Sequence, residues 1–113
     1  RFILIEMAQS DPRIRILRTK GGLVAALNAG LAAATGEFVA RMDADDESAP
    51  SRLERQAQFL QLNPALGLVS CEVAYGGDRT KQTGYALHVD WLNTLLTPEA
   101  IALNRFIESP FAH

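Results

Sequence analysis

A single cysteine, Cys71, stands in the whole chain, which excludes an internal disulfide and suits a reducing compartment. Its neighbours mark it as a buried core thiol rather than a nucleophile. An excess of one charge is also missing. Eleven basic residues against thirteen acidic ones leave a net charge of −2, and no basic cluster creates a footprint for nucleic acid. No apolar run is long enough to span a membrane, and no signal peptide is visible at the N-terminus. Internal repeats and low-complexity segments are absent as well. What remains is ordinary: 113 residues, 48% hydrophobic and 21% charged, fit one soluble globular domain or a piece of one. Arg1 opens without an initiator Met into what reads as mid-domain sequence, so an excised fragment is expected.

The periodicity predicts an α/β chain. Phe2, Ile5 and Met7 or Ala8 have helical spacing, and Ser10-Asp11-Pro12 ends that helix because the residue before proline is pushed out of the α region. Residues 13–18 alternate, with Ile14 and Ile16 on one face of a predicted strand. Lys20-Gly21-Gly22 is a turn whose backbone can approach another group closely. Residues 23–34 predict the strongest helix, with Leu23, Ala26, Leu27, Gly30, Leu31 and Ala34 in one apolar stripe and Gly36 as its glycine cap. Residues 37–42 then predict a buried strand, which completes a βαβ unit with parallel pairing. A second amphipathic helix over 50–62 is expected to bury Leu53, Ala57 and Leu60 and keep Arg52 in water; its start is either Ser48 with Pro50 or a Ser51–Glu54 capping box. Residues 67–75 predict another strand, 76–84 a loop, 88–96 a short helix, and Thr97-Pro98-Glu99 the start of a last helix. That helix is expected to turn Leu103, Phe106 and Ile107 inward and to end at Ser109-Pro110.

The stretch of chemical interest is Glu37-Phe-Val-Ala-Arg-Met-Asp-Ala-Asp-Asp46, an apolar run that ends in Asp43, Asp45 and Asp46, with Glu47 next. Such a concentration of negative charge needs water, a helix N-terminus or a cation to offset it. Strand ends are also where open α/β sheets place ligands. A loop whose acids cap the next helix is the plain alternative. Three chemistries use aspartates at this spacing. An EF-hand would start at Asp43, but Ser48 stands where its glycine belongs and the preceding segment reads as a strand. A phosphatase with Asp43 as nucleophile and Asp45 as general acid lacks the residues that normally follow. A sugar transferase would use the carboxylates to hold Mn²⁺ or Mg²⁺ on a donor diphosphate, whose departing charge the metal stabilises.

From Gly22-Leu-Val-Ala-Ala-Leu-Asn-Ala-Gly-Leu-Ala-Ala-Ala-Thr-Gly-Glu through Asp43-Ala-Asp-Asp46 the chain resembles family 2 glycosyltransferases. The likeness continues in Pro50-Ser-Arg-Leu-Glu-Arg-Gln56, Asn63-Pro64, Trp91-Leu-Asn93 and Ser109-Pro-Phe-Ala-His113, and extends upstream to Asp11-Pro-Arg-Ile-Arg15. The resemblance implies a GT-A fold, a Rossmann-like sheet with flanking helices that here is incomplete at both ends. It makes residues 1–113 a single partial domain that lacks the first nucleotide-binding strands and the acceptor part. It further implies a nucleotide-diphospho-sugar donor, UDP-linked by expectation, and transfer with inversion to a hydroxyl of a glycan, lipid or other acceptor. Asp45 would be the principal metal ligand, with Asp43 near the metal and ribose. Asp46 would assist or cap the following helix.

Gly21, Gly22 and Asn28 match the family's glycine turn and its asparagine, as donor contacts or as packing and turn residues. Leu27 replaces an arginine that many members carry, so an arginine–phosphate contact from that position is absent. Arg41 is expected to pair with the acids. His88 and His113 lack metal-ligand spacing and read as surface or loop histidines. Trp91 and Phe111 read as core aromatics more readily than sugar platforms. The general base is expected beyond His113, so the fragment alone is expected to be inactive. A cytoplasmic location, peripheral to a membrane, is expected. The alternative is an inactive metal- or nucleotide-binding module that self-assembles through an exposed sheet edge.

Overall fold

The structure, a computed structural model, describes residues 2–111. Expectations for Arg1, for His113 and for the side chain of Phe2 lie outside the described residues. Among the described residues five helices follow one another: α1 Phe2–Ser10, α2 Gly22–Ala33, α3 Arg52–Leu62, α4 Thr83–Leu92 and α5 Pro98–Asn104. They belong to two compact units, Arg1–Val39 and Ala40–His113. No described helix is long and apolar enough to cross a membrane.

In the first unit, Ile5 and Ala8 are the half-buried positions of α1 while Met7 is exposed, so the covered side follows a spacing of three. The helix closes where Asp11 N–H and the Ser10 hydroxyl both donate to the Met7 carbonyl, each at 2.9 Å. The Asp11 carboxylate then accepts from the backbone N–H and the guanidinium of Arg13, which holds its pKa below the usual carboxylate value. Helix α2 begins at Gly21 (φ 117°) and Gly22 (φ 79°), both in the left-handed region that glycine tolerates. Its half-buried positions are Ala25, Ala29 and Ala33, one line at i, i+4 and i+8. The predicted leucine stripe is therefore the open side of this helix, and Leu23, Leu27 and Leu31 are exposed. The Arg15 guanidinium donates to the Ala33 carbonyl at 3.2 Å, satisfying one of the carbonyls a helix end leaves free. Gly36 does not cap α2: the C-cap is Ala34 in extended conformation, and among the described residues only Gly21 and Gly22 have positive φ.

The expected sheet is not formed. Among the described residues no strand occurs, and residues 13–18, 37–42 and 67–75 are irregular and form no ladder. An alternating or apolar pattern says which side chains would share a face, but a strand exists only through a ladder of lateral hydrogen bonds. Among the described residues every backbone–backbone bond outside the helices joins residues three or four apart, which is turn and cap geometry. The GT-A sheet and its exposed edge are thus corrected to a helical chain with unpaired connecting segments. Cys71, expected in a buried strand, is exposed.

The second unit is tied by side chains. Asn93, at the end of α4, donates from Nδ2 to the Val73 carbonyl (2.8 Å) and accepts from the Val73 N–H (2.9 Å). One amide side chain thereby does for Val73 what a neighbouring strand would do. Arg79 pairs with Asp90 of α4, and the Tyr75 hydroxyl donates to Gln82 just before the helix. Ala86 and Leu95 are the buried apolar residues here. Helix α4 starts at Thr83, five positions before the predicted start, because the Asp78 carboxylate folds residues 78–81 into a turn that leads directly into it. Asp78 accepts from the Thr80 hydroxyl (2.7 Å) and N–H (2.9 Å), which lowers its pKa below the usual carboxylate value.

Helix α5 opens as predicted, with the Thr97 hydroxyl accepting from Ala100 N–H at 3.2 Å and Pro98 in the first turn. Its half-buried positions are Ala100, Ile101 and Asn104. Leu103, Phe106 and Ile107, expected inward, are exposed. On α3 the half-buried line is Arg52, Gln56, Ala57 and Leu60, while Leu53 faces solvent. Arg52 is held by its Nε bond to the Ser48 hydroxyl (2.8 Å) and reaches Gln56, so its stem covers the helix rather than extending into water.

Replacing Asn93 by alanine removes both bonds to Val73 and is expected to cost about 1–2 kcal/mol. Hydrogen exchange at the Val73 amide checks it: the exchange rate should rise in Asn93→Ala with α4 helicity retained.

Candidate metal and donor loop

The acids lie in the second unit on a tight turn. Asp46 N–H donates to the Asp43 carbonyl at 3.3 Å, with Ala44 and Asp45 at the two central positions. Aspartate is favoured at the first position of such a turn, and the arrangement needs no positive φ. Residues 41–50 are all exposed, so the carboxylates of Asp43, Asp45, Asp46 and Glu47 remain hydrated. The Arg41 guanidinium pairs with Asp43 at 3.4 Å, as expected from the sequence. Such exposed pairs contribute at most about 1 kcal/mol.

None of these acids caps a helix. The N-cap of α3 is Ser51, whose side chain makes no cap bond, so neither Asp46 nor the predicted Ser51–Glu54 box serves that purpose. The plain alternative for the loop, a set of helix caps, is therefore not realised. The donor set itself is two to four hard carboxylate oxygens on one short turn. Among the described residues no group of three or more His, Cys, Asp or Glu side chains could hold a metal ion. That does not fit a closed, all-protein site. It does fit the way Mg²⁺ is usually held, by one or two carboxylates with substrate phosphate oxygens and water completing the shell.

Gly21, Gly22 and Asn28 belong to the first unit. The positive φ at both glycines shows what the pair does there: it makes the turn into α2. A Cβ at Gly21 would stand 3.2 Å from the Ala25 Cβ, on the covered line of the helix. Asn28 is exposed on α2. His88 is exposed on α4 with its ring 5.5 Å from that of Trp91, and Trp91 is half-buried. Phe111 is half-buried as well.

One open groove lies outside the residues singled out from the sequence. Lys81, Gln82, Tyr85, His88 and Glu108 line one open pocket in the second unit. A helix that starts at His88 leaves Tyr85 between the predicted loop and the predicted helix, whereas in the structure both lie on α4. The signal that could have found it is Asp78-Arg-Thr80, whose turn chemistry marks the run-in to the helix.

The family is given by comparison with known proteins. The family described as Glycosyl transferase family 2 matches residues 1–112, and the chain belongs to it. Similar proteins include the bifunctional glycosyltransferase pgtA of Dictyostelium discoideum, 33% identical over 76 residues, which span 63% of this chain and 10% of pgtA. An uncharacterized glycosyltransferase of Nostoc, alr2836, is 39% identical over 83 residues, 71% of this chain and 26% of that protein. The amylovoran biosynthesis glycosyltransferase AmsE of Erwinia amylovora is 40% identical over 65 residues, 54% and 24% of the two chains. The chain thus matches a quarter or less of the length of most of these relatives. No solved structure matches it significantly.

Alanine at Gly22 must adopt a left-handed conformation, at a cost of about 1–2 kcal/mol. Thermal unfolding of Gly22→Ala should therefore show a lowered midpoint, whereas Gly30→Ala, in open space within α2, should raise it.

Proposed function

We propose that this chain forms the part of a family 2 glycosyltransferase that holds the diphosphate of a nucleotide-sugar donor through a divalent cation. The observation that carries the reading is the free acidic turn: Asp43 and Asp45 stand exposed, cap no helix, and lie in a chain whose family matches over residues 1–112. Asp45, at the tip of the turn, is the principal carboxylate toward Mn²⁺ or Mg²⁺. Asp43 is the second, and its bond with Arg41 limits how far its side chain wanders. When bound, the cation supplies Lewis-acid stabilisation of the negative charge that grows on the departing diphosphate.

In this reading the acceptor hydroxyl attacks the anomeric carbon as the bond to the diphosphate oxygen breaks, and the configuration at that carbon inverts. The hydroxyl proton passes to a general base. No described residue is assigned that task. UDP is the nucleotide of choice for a first test, and the acceptor is a glycan, lipid or other hydroxyl compound. The self-assembly alternative loses the sheet edge on which it depended, since no strand occurs among the described residues.

Calorimetric titration of UDP into the chain, with and without Mn²⁺, tests the reading. Binding should require Mn²⁺, and Asp45→Asn should weaken it about tenfold or more, as expected for removal of a charged ligand to a diphosphate-bound metal. Binding that ignores both Mn²⁺ and the substitution would refute it.

A further inference from the structure

From residue 41 to residue 51, Arg41 is the only basic residue against four acids. Its hold on Asp43 is a single contact, Nη2 to Oδ1 at 3.4 Å, between side chains that are 37% and 46% exposed. A charge-assisted hydrogen bond of full strength is about 2.7–2.9 Å long. Asp11 shows what such a bond looks like in this chain: Arg13 Nη2 lies 2.6 Å from Oδ2, and Nε donates to both carboxylate oxygens at 3.0 and 3.1 Å. The Arg41 guanidinium is loosely held by comparison. Among the described residues it has no hydrogen-bond partner besides Asp43, which leaves most of its N–H donors to water. Other cations of the second unit are committed elsewhere: Arg52 to Ser48 and Gln56, Arg79 to Asp90, and Lys81 to Asp78. Arg105 lies over the ring of Phe106.

Charge balance gives this loosely held cation a task. The carboxylates of Asp43 and Asp45 cancel the charge of one divalent cation, so the negative charge of a diphosphate is left without a counter-charge on the loop. Asp43 also cannot serve the metal and Arg41 equally. Once its carboxylate turns to a cation, the guanidinium beside it loses attraction and is repelled by that cation. Its planar fork then matches a pair of phosphate oxygens. We propose that Arg41 is a diphosphate-binding residue held in reserve by Asp43, which passes to the phosphate oxygens as Asp43 turns to the metal. The inference rests on the donor reading above and adds to it the protein's own positive charge on the diphosphate. It also sets a sign: metal alone competes with Arg41 for Asp43, whereas metal with diphosphate recruits both.

Two titrations test it: Mn²⁺ alone, followed by the paramagnetic resonance of the free ion, and UDP with Mn²⁺ present, followed by calorimetry. Arg41→Gln should weaken UDP binding about tenfold, the size of a lost charged hydrogen bond. The same substitution should strengthen binding of Mn²⁺ alone about two- to fivefold, because an exposed ion pair no longer competes for Asp43. General damage to the turn would weaken both, so the opposite signs are diagnostic. Arg41→Lys keeps the charge without the fork and should recover part of the UDP affinity. Arg55→Gln removes an exposed cation of α3 and should change either affinity by no more than about twofold. Undiminished UDP affinity in Arg41→Gln, or Mn²⁺ affinity that does not rise, would overturn the proposal while Mn²⁺-dependent UDP binding in the unsubstituted chain still upheld the donor reading. UDP binding that ignores both Mn²⁺ and Asp45→Asn would instead remove the donor reading, and the proposal with it.

Discussion

Peptide N–H and C=O groups outside a helix must find a partner elsewhere, and in the second unit one side chain supplies both for Val73. The paired bonds from Asn93 join the 67–75 segment to the end of α4. Tyr75, two residues further, reaches Gln82 before the start of the same helix, and Arg79 reaches Asp90 within it. This set of side-chain ties places α4, and with it the open pocket lined by Tyr85 and His88. Elsewhere the backbone bonds are local, so the helices and turns are defined within a few residues of themselves. The large exposure of Leu103, Phe106 and Ile107 follows, because local hydrogen bonds fix a helix without covering its sides.

The same local logic shapes the acidic loop. A turn closed by Asp46 N–H onto the Asp43 carbonyl needs no help from the carboxylates. They are consequently left in water, apart from the pairing of Asp43 with Arg41. Ser51 takes the N-cap position of α3, which removes the competing use for Asp46. A pair of hydrated carboxylates is a weak site alone but becomes strong when phosphate oxygens complete the coordination. This explains why the chemistry proposed for this chain depends on the donor as much as on the protein.

The features legible in the sequence are those set by short-range chemistry. Thr97-Pro98 announced α5 because cap and first turn are contiguous, and Gly21-Gly22 announced a turn because both residues adopt positive φ. The Arg41–Asp43 pairing followed from a separation of two residues. Family membership was legible because many weak local motifs recur together over residues 1–112. The strands were not legible as they stand, because alternation at Ile14 and Ile16 specifies a face but not the neighbour that makes a ladder. The α2 stripe misled in a related way: leucines marked the larger apolar side, while the line of close approach was Ala25, Ala29 and Ala33, where small side chains admit the Arg15 contact and the glycine turn. The pocket at α4 escaped because Glu108 lies twenty residues beyond His88, a distance no local pattern bridges.

The central claim is the position of the metal, and Mn²⁺-induced line broadening in the amide spectrum of the chain, recorded with UDP present, tests it most directly. The account predicts that the amides of Asp43, Ala44, Asp45 and Asp46 broaden first and that Asp45→Asn abolishes the effect. Broadening centred on another acidic residue, such as Glu72 or Asp78, or broadening that persists unchanged in Asp45→Asn, would contradict it.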